Sequence, residues 1–195
     1  MAITINGNGT IGGITAGGLP NGTVTRDDLE TNAKGSILQI AQDIDDGENS
    51  TNSSTFVDSG LILASFPNPI QSTSKVYATI NLIFSETYAG SWAHPHYFTL
   101  FQGTDVANGA NIGDATRGMS AGNAIEGADG EQTNRFSMMN LTASLLHTPT
   151  NTNPYYRLFY RTHSTNHSVF IGSAADDSDV YNVGRTIVTI MEVAQ

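Results

Sequence analysis

Between Gly35 and Gln195, apolar side chains recur at every second position, in runs broken by clusters of Ser, Thr, Asn, Gly and Pro. That spacing belongs to extended strands with two distinct faces, since helices repeat every three to four residues. In residues 75–85 it is clearest. Val76, Ala78, Ile80, Leu82 and Phe84 share one face, while Tyr77, Thr79, Asn81 and Ser85 share the other, which predicts a strand with its first face in a core and its second mostly in water. The same reading gives strands over 36–43, 55–65, 97–102, 135–145, 155–164, 169–172 and 185–193. Eight strands with no convincing interior helix predict an all-β fold, a jelly-roll-like antiparallel β-sandwich. Composition agrees: Thr, Ser, Asn and Gly fill 77 of 195 positions and only 13% of residues are charged, unlike a helical protein. Residues 185–193 carry Ile187, Met191 and Val193 on one face and Val188 and Ile190 on the other. Apolar side chains on both faces predict an interior strand, or one covered by a second chain.

Charge narrows the partners. Eight Lys and Arg stand against 18 Asp and Glu, a formal charge of −10, and the cations are scattered. Such a surface repels phosphate backbones and anionic headgroups, so no nucleic-acid partner is expected. No run of about 18 apolar residues occurs, so no membrane insertion is expected either. Without cysteine there is no disulfide, thiolate nucleophile or Cys-ligated zinc.

The first 20 residues are rich in glycine, with Ile3, Ile5, Ile11 and Ile14 as the aliphatic side chains before Leu19. They lack the basic start and continuous apolar core of a secretory signal, so they are expected to stay on the mature chain. Gly7, Gly9 and Gly12 spell a dinucleotide-binding pattern, but Gly13, Gly17, Gly18, Pro20 and Gly22 forbid the helix that would have to follow. Further on, Thr25 as N-cap, Asp28 three residues later, a staple of Val24 on Leu29, and Gly35 as terminator predict a short helix over 25–34. A helix of two turns is marginal alone. Residues 1–34 therefore read as an arm ordered against something else, or as a plain disordered tail.

Residues 155–161 set Tyr155, Arg157, Phe159 and Arg161 against Tyr156, Leu158 and Tyr160. Aromatics on both faces, with arginine, suit contacts between chains. Tyr155, Tyr156, Arg157, Phe159 and Tyr160 are accordingly the expected subunit interface, the alternative being a core strand whose tyrosine hydroxyls reach solvent. Residues 101–135 hold seven glycines and few large apolar side chains, and read as long surface loops suited to recognition.

No constellation signals an active site. Asp43, Asp45, Asp46 and Glu48 fail the calcium-loop spacing, which places Glu48 where glycine is needed and Ser54 where glutamate is needed. Asp176, Asp177 and Asp179 form a second acidic turn. His94 and His96 flank Pro95, so both imidazoles of an extended segment point one way and a three-fold axis would gather six around a metal. Against this stand Pro95, nearby Trp92 and the lack of a carboxylate in sequence to orient the rings. His163, His167 and Ser168 lack the local context of a hydrolase triad, and a glycosidase pair is not evident beside Glu86 or within 126–131. The six Asn-x-Ser/Thr triplets follow from composition. No enzyme activity, cofactor or metal is expected.

The leader Ile3-Thr4-Ile5-Asn6-Gly7-Asn8-Gly9-Thr10-Ile11, then Gly17-Gly18-Leu19-Pro20-Asn21-Gly22-Thr23-Val24 and Asp28-Leu29, resembles the amino-terminal signature of tail fibre and fibre-like virion proteins from tailed, cyanophage-like phages of marine bacteria. In the body, Gly35-Ser36-Ile37-Leu38-Gln39, Thr55-Phe56-Val57-Asp58-Ser59-Gly60-Leu61, Ser74-Lys75-Val76 and Thr189-Ile190-Met191-Glu192-Val193-Ala194 are similar to that group as well. The resemblance implies a virion location and a non-enzymatic structural or adhesive role. It implies a homotrimer, an attachment arm over 1–34 docking on tail or capsid proteins through Ile3, Ile5, Ile11, Ile14, Leu19 and Leu29, and a sandwich over 35–195. Loops chiefly within 102–134 would then meet a host surface glycan or protein. No shaft repeat separates the two parts, which favours a short fibre, a spike tip or a head decoration protein. A capsid cement or other architectural protein without receptor binding is the alternative.

Overall fold

In the computed structural model, residues 36–88, 95–104, 109–123, 139–172 and 184–195 are described, together with the short strands β1 (Thr4–Ile5) and β2 (Ile11–Gly12). The alternating runs become two antiparallel sheets packed face to face. The first contains β3 (Ile37–Asp45), β4 (Asn49–Thr51), β6 (Lys75–Tyr88), β10 (Met139–His147), β12 (His167–Ile171) and β13 (Thr186–Val193). Its order is β3-β13-β6-β12-β4, with β10 also on β6. The second contains β5 (Val57–Ser65), β7 (Pro95–Gly103), β8 (Ala110–Asn111), β9 (Ser120–Asn123) and β11 (Tyr155–Thr162), in the order β5-β11-β7-β8 with β9 also on β7. No helix occurs among the described residues, and the helix expected over 25–34 lies outside them.

Each of the eight expected strands is present, with residues 135–138 of the one expected over 135–145 lying outside the described residues. Val76, Ala78, Ile80, Leu82 and Phe84 of β6 are buried against Phe98, Leu100, Tyr156, Leu158 and Tyr160 of the other sheet. β13 is hydrogen-bonded on both sides, to β3 and to β6, so its interior position is met within one chain. Val188 and Ile190 point into the core, while Ile187, Met191 and Val193 stay half-buried outside. Residues 102–134 are not wholly loop. β8 and β9 pair with β7 at Phe101↔Asn111 and His96↔Gly122. These short strands carry no apolar alternation; besides backbone pairing, the Asn111 side chain bonds to Thr99 of β7. Pro95 opens β7, where its missing N–H breaks no interior ladder.

One irregularity shapes the second sheet. Between Arg157↔Leu63 and Phe159↔Asp58 the β11–β5 register slips, and Gly60 sits in the slip at a φ of 69°. A side chain there would strain the backbone whatever the space around it.

At the end of β10, His147 turns inward and its Nε2 lies 2.9 Å from the Tyr156 hydroxyl. Burial disfavours the imidazolium and holds its pKa below the ordinary 6.5. The unfolded chain therefore takes up the proton first as pH falls. Stability is expected to decline below about pH 6.5, reaching a floor once the folded pKa is passed. Urea midpoints at about pH 7.5 and 5.5 check this, because that interval brackets the ordinary imidazole value. The midpoint drop should be smaller in His147→Gln, and an equal drop in both proteins would rule the assignment out.

Candidate functional site

The most elaborated surface lies on the outer face of the second sheet, around β11. Strand alternation sends Tyr156, Leu158 and Tyr160 inward, where they are at most 1% exposed, and burial pushes both tyrosine hydroxyls far above their ordinary pKa. Tyr156 and Tyr160 are thus core residues with no surface to offer a second chain, which corrects their place in the expected interface. Tyr155, Arg157 and Phe159 are half-buried on the outer face, with Arg161 beside them. Phe159 stacks on Phe101 with ring centroids 3.9 Å apart, Phe56 meets Phe101 edge-on at 6.2 Å, and Arg157 pairs with Asp58.

Arg161 was not expected as a site residue, yet it organises this face. Its guanidinium lies 4.2 Å from the Tyr97 ring centre and 5.4 Å from that of Phe56. Nη1 donates to the Ser54 carbonyl at 2.9 Å, and Nε and Nη2 both donate to the Thr116 carbonyl. One planar cation thereby ties two loops to the sheet. Its only signal in the sequence is an arginine in phase with Tyr155 and Phe159.

The segment 109–119 held by Arg161 is built to be rigid. Ile112 N and Met119 N bond to the Leu100 and Phe98 carbonyls at 3.0 and 2.9 Å. Asn111 Oδ1 accepts from Thr99 Oγ1 and from Gly113 N, and Asp114 and Gly118 exchange backbone bonds at 3.0 and 2.8 Å. At the tip, Asp114 Oδ1 accepts from the Arg117 and Thr116 amides at 2.7 and 2.9 Å, which lowers its pKa. Gly118 closes the turn at a φ of 67°, and a Cβ there would sit 2.6 Å from the Phe98 carbonyl oxygen. The result is a fixed, exposed tip, Asp114, Ala115, Thr116 and Arg117, carrying one acid and one cation. A pre-organised tip loses little entropy on binding a partner.

Arg161→Ala is expected to release that tip. Losing its carbonyl bonds and ring contacts should cost about 1–3 kcal/mol, and trypsin should cut after Arg117 several-fold faster under native conditions. Unchanged cleavage would show that the loop holds itself.

The other sequence candidates do not converge. His96 is fully buried and faces inward, so it cannot share a metal with neighbouring copies; His94 and Trp92 lie outside the described residues. A carboxylate does orient the His96 ring, contrary to expectation: Glu86 bonds to its Nε2. Asp43 accepts from Leu63 N at 2.7 Å, Asp45 from Gly47 N, and Asp46 pairs with Arg185 at 2.8 Å, so these acids serve the fold. His163 is exposed while His167 is buried, and Ser168 points away from His167. Among the described residues no group of three or more His, Asp or Glu is placed to hold a metal ion. In the leader, Ile5 pairs with Ile11 across β1 and β2; Ile3, Ile14, Leu19 and Leu29, and the acidic turn at Asp176, Asp177 and Asp179, lie outside the described residues.

No family model matches the chain, and no curated protein sequence matches it.

Proposed function

We propose that this chain is a non-enzymatic structural protein of a phage particle. In this reading it is a short tail fibre or fibre-like surface protein, attached through residues 1–34. Its sandwich is displayed outward as a homotrimer and engages a host surface glycan or protein. The resemblance of the leader and body segments supports the virion location. The observation that carries host attachment is the rigid tip at Asp114, Ala115, Thr116 and Arg117, pinned by Arg161 to a β-scaffold. Contacts from such a tip are few, and repetition around a trimer would make weak contacts sufficient.

Two experiments test the parts separately. A chain lacking residues 1–34 should fail to enter particles when supplied in trans to a phage deleted for the gene; its incorporation would defeat the arm. The full chain, fluorescently labelled, should bind host cells, and Arg117→Glu should weaken that binding at least tenfold without changing the melting temperature. Particle incorporation combined with no cell binding by the unaltered chain would favour a capsid cement protein.

A further inference from the structure

We infer that the outer face of the first sheet is where copies of this chain meet. Register lines up Ile40, Met191, Tyr77 and Leu146 side by side across β3, β13, β6 and β10. Ile40 is 55% exposed and Leu146 47%. Ile44 and Ile187 pair in a parallel row two positions along, and Ile37 and Val193 in another. A monomer's alternating sheet would put polar side chains there.

Charge identifies the occupant. The protein carries 18 acids and a net charge of −10, yet the outward positions of these four strands include no carboxylate, and Lys75 is their one charged residue. Two copies repel each other through most of their surface, and this face is where they approach without apposing like charges. A basic partner would instead be drawn to the acidic surface. Four of the polar side chains that lie here are already paired with each other. Gln42 donates to Thr189 Oγ1 at 2.9 Å, and Thr142 Oγ1 donates to Asn81 Oδ1 at 2.6 Å. Covering them therefore strands few hydrogen-bonding groups. Four strands at ~4.8 Å spacing, about eight residues long, cover on the order of 500 Å2 in plan. Corrugated by side chains, that approaches the ~800 Å2 of accessible surface each partner gives a standard interface.

This inference shares with the proposed function only self-association, and it places the contact on the sheet opposite to Tyr155, Arg157 and Phe159. Sedimentation equilibrium of the full chain should show a dimer or trimer at micromolar concentration. Ile40→Asp combined with Leu146→Asp should weaken association at least tenfold, with an unchanged far-ultraviolet circular dichroism spectrum. Leu63→Asp, at an exposed apolar position opposite Arg157 on the other sheet, should leave association intact. A monomer at 100-fold higher concentration would overturn the inference. So would association that survives the double substitution or is abolished by Leu63→Asp; neither result bears on particle incorporation, which is read separately.

Discussion

Glu192→Leu is expected to be among the most damaging single substitutions in the chain, lowering stability by about 3 kcal/mol or more. Glu192 lies on β13 in phase with Val188 and Ile190, fully buried at one end of the sandwich. Its Oε1 accepts from Gln71 N and from Ser74 Oγ, both at 2.7 Å, and its Oε2 accepts from Gln39 Nε2 at 2.8 Å. One carboxylate thus joins β13, β3 and the turn leading into β6. Leucine fills much of the space but removes the acceptor, so each stranded donor costs about 1–3 kcal/mol where water cannot reach it. Relief of the buried charge offsets part of this. Glu192→Gln should lose less, about 1–2 kcal/mol, because one oxygen is kept while an amide N–H2 is set against existing donors. Urea titration gives both values, with the midpoint falling and the slope unchanged. A leucine variant within about 0.5 kcal/mol of the parent would mean the cluster rearranges freely.

Glu192 also shows how far the sequence can be read. Alternation sufficed for β6, where Val76 to Phe84 occupy one face without interruption, and for the existence of the eight long strands. Carried past the apolar run in the same phase, the alternation puts Glu86 after Phe84, His96 before Phe98 and Glu192 after Ile190 on inner faces. The signal for the buried polar groups is therefore periodic, and it is masked by the ordinary expectation that charge faces water. Other features have no periodic trace. β9 lies beside β7 because Gly122 leaves room for Phe84, whose ring carbon would be 2.5 Å from a Cβ. The Arg161 hub needs residues 54, 116 and 161 brought together, and the carboxylate-free outer face emerges only when four strands are set in register. Each depends on long-range pairing, which local pattern does not encode.

At the other end of the sandwich, His96 and Glu86 are expected to behave as one unit. His96 is fully buried and the Glu86 side chain is 8% exposed, with Nε2 bonded to Oε2. Phe84 stands edge-on to the imidazole at 6.1 Å, and the His96 Nδ1 has no hydrogen-bond partner among the described residues. Glu86→Leu leaves an imidazole with neither nitrogen satisfied, at a cost of about 2–4 kcal/mol. His96→Phe leaves a carboxylate facing apolar rings, at about 3–5 kcal/mol. The double variant brings two apolar side chains together in the same space and should recover much of the loss, because neither stranded polar group remains. The expected signature is strong non-additivity, a coupling above about 1.5 kcal/mol in a double-mutant cycle. Losses that sum to within about 0.5 kcal/mol would mean that the two residues do not support each other. His96 is held on either side by pairing with Gly122 of β9 and Thr162 of β11, so its bond to Glu86 is one of the side-chain links between the two sheets, as are His147 with Tyr156 and Asp43 with Leu63 N. Disrupting it should therefore also raise amide exchange in β9, the shortest strand that relies on β7 at that end.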